Sequence, residues 1–245
     1  MPIRLDSADP DFEARFSALL AGKRESSRDV GDTVAAIIAD VRARGDEALV
    51  ELTNRFDRTS YTAADLRIPE AEIEAAAASV GDTVRIALQT AHDRIRAHHE
   101  YQKPQDQLYT DALGVTLGTR WTPVDAVGIY VPGGLATYPS SVLMNAVPAR
   151  VAGVERIAMV VPTPDGQIAA PILLAAQIAG VTEIYRVGGA QAVAALAYGT
   201  ATIAPVDKIV GPGNAYVASA KRQVFGQVGI DMIAGPSEVL VIADG

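Results

Sequence analysis

The sequence predicts an α/β protein with a parallel sheet, and three observations support this fold class. From Val124 onward, short β-rich runs alternate with helical runs, which is the pattern of a parallel α/β unit. Aromatic residues make up 5% of the chain, and the apolar 49% is mainly Ala, Val, Ile and Leu, which favours helices packed on a sheet over an all-β sandwich. Residues 10–103 instead show the spacing of helices separated by polar turns.

The first region is predicted to be helical with a few short strands. Apolar residues three and four positions apart follow Asp32, and Gly45 ends that helix. Pro69 opens an Ala-rich helix, and Asp82 caps a longer helix that runs to about His99. The remaining predicted elements are a short helix, a short strand and the two strands of a hairpin: Glu47–Phe56, Leu66–Pro69, Leu108–Thr110 and Val115–Trp121.

The second region is predicted to consist of alternating strands and helices. The strands are Ala126–Val131, Ile157–Val161, Glu183–Val187 and Lys208–Val210, and the helices that follow them are Tyr138–Val151, Ala169–Ala179, Ala190–Tyr198 and Ala215–Phe225. A last apolar strand is predicted at Glu238–Ala243. These helices are apolar on most faces, as expected for helices that pack against a sheet and against each other.

Charge and composition exclude several classes of function. The net charge is −8, from 21 Lys and Arg against 29 Asp and Glu, and no basic run occurs, so nucleic acid is not expected as a partner. The absence of cysteine excludes disulfides, thiolate nucleophiles and thiolate metal ligands. No apolar run is long enough for a membrane span, and no signal peptide is recognised, so we expect a cytoplasmic protein with no membrane partner.

Three strand-to-helix junctions are rich in glycine: Pro132–Leu135, Gly188–Gln191 and Gly211–Asn214. In parallel α/β sheets, ligands bind outside the carboxyl ends of the strands, where such junctions lie. Glycine allows close approach of the backbone, and the following helix presents N–H groups to an anion such as pyrophosphate. Glycine turns also serve simply to change the chain direction, so a binding role and a structural role both stay open at this point.

The spacing of the usual dinucleotide fingerprint is absent. Gly211 and Gly213 stand in place, but Tyr216 replaces the third glycine, which normally packs the helix against the strand. Asp231 lies 18 residues after Gly213, near the position of a ribose-binding acid, but this match is weak. Binding of a nicotinamide cofactor therefore does not follow from spacing alone.

The histidines do not indicate a catalytic or metal site. His92, His98 and His99 lie on one helical stretch, where neighbouring residues point about 100° apart. We interpret them as part of a solvated helix face. No Gly-x-Ser-x-Gly elbow and no Walker-type phosphate loop occurs in the sequence.

Four long strings of residues resemble the histidinol dehydrogenase family, in the family's own order. They are GIYVPGGLATYPSSVLMN at 128–145, VGGAQAVAALAYGT at 187–200, KIVGPGNAYV at 208–217 and IDMIAGPSEVL at 230–240. The resemblance implies a zinc-dependent, NAD-linked enzyme that oxidises L-histidinol through an aldehyde to L-histidine, at the end of histidine biosynthesis. It also implies a homodimer in which some active-site residues cross between subunits.

The same resemblance assigns roles to four residues. Carried over by motif, Tyr130, Gln191 and Asn214 are the NAD contacts, one from each glycine-flanked junction, and Ser237 contacts the substrate. Without the resemblance, Ser237 would be interpreted as a cap after a proline turn. The family's zinc ligands and its catalytic Glu–His pair have no counterpart in the sequence, so no catalytic or metal-binding residue is assigned.

The expected architecture is an incomplete Rossmann-like parallel sheet domain with a helical, partly α/β amino-terminal region. The predicted boundaries are 1–123 for that region, 124–236 for the NAD-binding domain and 237–245 for a strand that returns to the first domain. We expect the 245-residue chain to be truncated and inactive alone. Two alternatives stay open: a non-catalytic nucleotide-binding paralogue or partner fragment, and a dehydrogenase for another amino alcohol.

Overall fold

The elements of the first region are mainly helices. The computed structural model describes residues 5–133 and 138–233, with side chains everywhere in these ranges except 20–28. The first-region elements are α1 (Phe12–Arg44), α2 (Asp46–Asp57), α3 (Glu70–Ala78), α4 (Asp82–Gln102), β1 (Gln107–Thr110) and β2 (Thr116–Thr119). The predicted helices and the predicted hairpin are thereby confirmed, whereas α1 begins about twenty residues earlier than the pattern after Asp32 indicated.

Helix α1 is long because no proline interrupts residues 12–31, and Gly31 lies inside the helix without ending it. Its predicted end is correct. Gly45 has a φ of +58°, a backbone region that favours glycine, and α2 begins at the next residue. Val34 and Val41 of α1 are almost completely buried, so this helix belongs to the core.

The second region alternates strands and helices as predicted. Its elements are β3 (Ala126–Tyr130), α5 (Pro139–Ala152), β4 (Arg156–Val160), α6 (Ala170–Ile178), β5 (Glu183–Tyr185), α7 (Gly189–Tyr198), β6 (Lys208–Val210), α8 (Ala215–Val224) and β7 (Gly229–Ile230). Each element predicted between Val124 and Phe225 is found within two residues of its expected bounds. The two-residue strand β7 was not predicted, since it is too short to show an alternating pattern.

Strands β3 to β7 form one parallel sheet in the order β5-β4-β3-β6-β7. The chain first builds the sheet outward from β3 to β5, and then returns to place β6 on the other side of β3. This is the doubly wound arrangement, and the prediction of a Rossmann-like α/β fold is correct. The reversal between β3 and β6 opens a crevice at the carboxyl ends of the strands, which is where such folds bind ligands.

Helices cover both faces of this sheet. Ala126 and Tyr130 of β3 face a core shared with α1, α2, α7 and α8, whereas Val127 and Ile129 face a core shared with α3, α4, α5 and α6. This alternation follows from the two-residue period of a strand. Each fully buried Val, Leu or Ile contributes about 1.5–3 kcal/mol, so β3 is held firmly from both sides.

The amino-terminal region also extends the sheet. The backbone of Ile68 donates to the carbonyl of Ile184 at 2.8 Å, and Arg186 donates to the carbonyl of Leu66 at 2.8 Å. The short strand predicted at Leu66–Pro69 is therefore an antiparallel bridge that covers the edge of β5. The domain boundaries proposed at 123/124 and 236/237 stay predictions.

Strands β1 and β2 form an exposed antiparallel hairpin, with Leu108 opposite Gly118. The carboxylate of Asp111 accepts backbone hydrogen bonds from Leu113 at 2.8 Å and from Val115 at 2.9 Å, which fixes the turn. Among the helices of the described ranges, none combines the length and the apolar character needed to cross a bilayer.

Candidate functional site

The three glycine-rich junctions meet around one cavity of about 520 Å³ at the carboxyl edge of the sheet. The residues that line it come from the junctions, from the turn after β4 and from the first two helices: Thr33, Ile37, Phe56, Asp57, Tyr130, Pro132, Gly133, Pro162, Pro164, Gly188, Gly189, Ala190, Gln191, Asn214 and Tyr216. The cavity therefore contains all three residues that the sequence analysis assigned to NAD. It lies between β3 and β6, where the order of the strands reverses, which is called the switch point of a doubly wound sheet.

Two of the junction glycines are needed for packing between the turns. A Cβ atom on Gly133 would lie 2.6 Å from Pro162, and one on Gly188 would lie 2.4 Å from the same proline. No side chain fits at either position without moving the backbone. The structural role of these glycines is therefore established, and they hold the first two junctions against the turn after β4.

Tyr130 is the last residue of β3 and is only 4% exposed. Its phenol oxygen accepts a hydrogen bond from the backbone N–H of Gly189, at 3.0 Å. Burial raises the pKa of Tyr130 to about 12, so the phenol is protonated at neutral pH. Because the Gly189 N–H occupies one lone pair of the oxygen, the phenol proton remains available to a ligand.

Gln191 lies in the first turn of α7 and is 2% exposed. Its amide oxygen is buried and has no hydrogen-bond partner within the described part of the chain. An unpaired buried acceptor of this kind costs about 1–3 kcal/mol. Since Gln191 lines the cavity, a rotation of its side-chain amide would let this oxygen accept a hydrogen bond from a ligand and remove this cost.

Asn214 is the N-cap of α8. Its side-chain oxygen accepts hydrogen bonds from the backbone N–H groups of Tyr216 and Val217, both at 3.1 Å. The expectation that this helix end offers free N–H groups to an anion is therefore wrong for these two groups. The side-chain NH₂ group of Asn214, at the exposed rim of the cavity, remains as the donor.

The opposite wall contains residues that the sequence analysis did not assign. Phe56 and Asp57 end α2, and both line the cavity. Asp57 is 6% exposed and accepts a backbone hydrogen bond from Thr163 at 2.7 Å. Nothing in the local sequence indicates that Asp57 lines a binding site, since its neighbours Phe56 and Arg58 are typical of a helix end. Its hydrogen bond with Thr163, 106 positions away in the sequence, joins it to the turn after β4 at the cavity.

The electrostatic environment of Asp57 is unusual. Burial raises the pKa of this carboxyl group, and the hydrogen bond from Thr163 only partly opposes the effect. Thr163 follows β4, which is the second strand of the parallel sheet in chain order. Doubly wound folds place an acid after this strand that binds a ribose hydroxyl. Asp57 supplies a carboxylate at this place from outside the sheet, and it can accept hydrogen bonds from ligand hydroxyl groups.

The remaining expectations concern Ser237, a metal site and the histidines. Ser237 and the strand predicted at Glu238–Ala243 lie outside the described residues. Within residues 5–133 and 138–233, no group of three His, Asp or Glu side chains is arranged to bind a metal ion. His98 is exposed on α4, in agreement with the interpretation of a solvated helix face, whereas His92 and His99 are only partly exposed.

Comparison with known proteins gives a consistent result over the whole chain. The family profile described as "Histidinol dehydrogenase" matches residues 20–245. Histidinol dehydrogenase of Ruegeria pomeroyi is 66% identical over 244 residues, and that of Rhodospirillum rubrum is 65% identical over 245 residues. Each comparison covers 100% of this chain and 56% of the relative, so the chain spans little more than half the length of these proteins.

The fold agrees with a solved structure of the same family. The crystal structure of histidinol dehydrogenase from Elizabethkingia anophelis matches with a TM-score of 0.80 at 39% identity, over 84% of this chain and 48% of that chain. The sequence resemblance is thereby confirmed by full-length relatives and by a structure. The chain belongs to the histidinol dehydrogenase family.

Proposed function

We propose that this chain forms the NAD-binding part of a histidinol dehydrogenase that oxidises L-histidinol to L-histidine. The observation that carries the proposal is the unpaired, buried amide oxygen of Gln191 in the wall of the switch-point cavity. Families of this fold bind dinucleotides at that place. Membership of the family supports the choice of histidinol as the substrate.

The residues around the cavity fit a dinucleotide. Its volume of about 520 Å³ lies within the usual range of small-molecule sites, about 300–1,000 Å³. Tyr130 and Asn214 supply hydrogen-bond donors, which suit phosphate oxygens, whereas Gln191 and Asp57 supply acceptors, which suit amide and hydroxyl groups. The walls between these groups are apolar or proline-rich, which helps to exclude water.

Bound NAD would supply the hydride acceptor for the oxidation of the alcohol and then of the hydrated aldehyde. The chain's own residues bind and orient it. Tyr130 is fixed by Gly189, and Asn214 is fixed by its two capping bonds, so neither side chain needs much reordering when a ligand arrives. This preorganisation favours binding.

The finer expectations rest on the family alone. The described residues contain no fitting metal cluster, so we derive no step through zinc. Zinc dependence, the substrate contact of Ser237 and the homodimer are proposals drawn from the resemblance, and the cytoplasmic location is a proposal drawn from the sequence. A paralogue that only binds nucleotide is not favoured, because relatives about 65% identical over the whole chain are named histidinol dehydrogenases.

The test is a calorimetric titration of the chain with NAD, repeated on a Tyr130→Ala, Asn214→Ala double variant. A Tyr109→Ala, Gln107→Ala double variant on the exposed strand β1 is the matched control. Saturable binding that is lost only in the first variant supports the site. No binding by a chain that unfolds cooperatively would refute it.

The oxidation itself is tested on the complete product of the gene that encodes this sequence. NADH formation is followed by absorbance, with L-histidinol and with other amino alcohols as substrates. Faster NADH formation with L-histidinol supports the substrate. Faster oxidation of a different amino alcohol would replace histidinol while leaving the NAD site intact.

A further inference from the structure

An ion pair between a buried lysine and a partly exposed aspartate lies behind the third glycine-rich junction. Lys221 of α8 and Asp231, just after β7, form a salt bridge in which the lysine side chain is 6% exposed and the aspartate side chain 31%. Lys221 Nζ also donates to the carbonyl of Gly211 at 3.0 Å, and Asp231 Oδ2 accepts from the N–H of Gly211 at 2.9 Å. The pair therefore binds both polar backbone groups of one glycine.

Gly211 is the residue at which this junction begins. It has a φ of +117°, and a Cβ atom on it would lie 2.2 Å from the carbonyl oxygen of Tyr130. The backbone of Gly211 is thus packed directly on that of Tyr130, and three residues later the chain reaches Asn214. The position of Gly211 sets the distance between these two cavity residues.

Stability alone does not explain a charged pair at this place. Removing two charges from water is costly, and apolar replacements of buried pairs are often equally stable. Burial by itself would raise the pKa of Asp231, but the hydrogen bonds from Lys221, Gly211 and Met232 hold it below its ordinary value, so the carboxylate stays charged. What the pair adds is two charge-assisted hydrogen bonds of fixed direction to Gly211.

We propose that Lys221 and Asp231 are positioning residues for the dinucleotide: by holding Gly211, they keep Asn214 and Tyr130 at the spacing that the ligand requires. This inference rests on the proposed NAD site. It also gives a role to Asp231, whose place in the sequence resembled that of a ribose-binding acid. Its carboxylate is engaged by Lys221 and by backbone N–H groups instead.

The experiment compares Lys221→Met, Asp231→Asn and the double variant. The free energy of unfolding is measured in urea, and the Kd for NAD by calorimetry. An Arg44→Met, Asp40→Asn double variant, which removes a more exposed ion pair whose residues do not line the cavity, is the control. Asp231→Asn leaves the buried charge of Lys221 unpaired, and Lys221→Met leaves the partly exposed carboxylate of Asp231 without its cation. Both single variants should therefore be less stable, whereas the double variant should recover much of that loss.

The expected result is a Kd for NAD about tenfold higher in the double variant, with the control unchanged. Amide hydrogen exchange at Asn214 should also be faster in the double variant, which a purely structural pair would not cause once stability is regained. A double variant that binds NAD as tightly as the parent overturns this inference and leaves the NAD site standing. A folded parent chain that binds no NAD overturns both.

Discussion

The phenol oxygen of Tyr130 and the backbone N–H of Gly189 are joined by a hydrogen bond of 3.0 Å. This bond connects the end of β3 with the start of α7, two elements that are 59 residues apart in sequence. It fixes the phenol at the cavity and directs its proton away from Gly189.

Replacing Tyr130 by phenylalanine removes this hydrogen bond and little else. The N–H of Gly189 loses its partner, so we expect the free energy of unfolding to fall by about 1 kcal/mol. NAD binding should weaken at the same time, because the phenol donor is gone. Urea unfolding and calorimetry measure the two effects. Tyr109→Phe, on the exposed hairpin, should change neither, and equal effects in both variants would argue against a special role for Tyr130.

Replacing Gln191 by methionine should stabilise the chain and weaken NAD binding. The change removes a buried amide oxygen without a partner, which costs about 1–3 kcal/mol, and retains a side chain of similar length. Loss of binding with a gain in stability is typical of a functional residue. Thermal unfolding and an NAD titration check both. The exposed Gln177→Met is the matched control, and a destabilised Gln191→Met would show that the amide has a structural partner.

Asp57 should give a distinct pH dependence of stability. The pKa of Asp57 is higher in the folded chain than its value of about 3.9 in the unfolded chain. At a pH between these two pKa values, the folded chain therefore binds more protons than the unfolded chain. The contribution of Asp57 to stability therefore falls as pH rises through this window. In the Asp57→Asn variant, the amide oxygen can still accept the Thr163 hydrogen bond. This variant should therefore gain stability relative to the parent as pH increases from about 4 to 7.

Asp165→Asn is the reference for this experiment, because its effect on the free energy of unfolding should change with pH in the opposite direction. The hydrogen bond and charge of Arg58 lower the pKa of Asp165, so its contribution is present at neutral pH and is lost as pH falls. Urea unfolding across the pH range measures both variants. If the free energy of unfolding changes with pH in the same direction in Asp57→Asn and Asp165→Asn, the buried environment of Asp57 is incorrectly described.

Gly211→Ala should be strongly destabilising. The methyl group would lie 2.2 Å from the carbonyl oxygen of Tyr130, and the residue has a positive φ, so we expect a loss of about 3 kcal/mol or more in the free energy of unfolding. Gly226 also has a positive φ, of +102°, but no atom lies within 4 Å of its added Cβ. Gly226→Ala should therefore cost only the backbone strain, about 1 kcal/mol. Similar losses in the two variants would mean that steric contact at Gly211 is unimportant.

The sequence predicted most of the second region because its strands are buried on both faces and its helices follow directly. Runs such as Ala126–Val131 are largely apolar and are followed by a turn rich in proline and glycine, so their type and bounds can be predicted from the local sequence. The start of α1 was not located, because the helical spacing of residues 10–103 was assigned to a defined helix only after Asp32. Strand β7 was missed because two residues carry no pattern.

The sequence by itself determined the fold class and the family, and local strings led to the prediction that Tyr130, Gln191 and Asn214 contact NAD. The tertiary structure alone decided that Asp57 reaches the cavity, and that Lys221 and Asp231 hold Gly211. The physical reason is that burial and hydrogen bonding join residues that are far apart in the chain. The pKa of a side chain, and whether a backbone N–H or C=O group has a hydrogen-bond partner, depend on this assembled environment. A local sequence pattern does not contain this information.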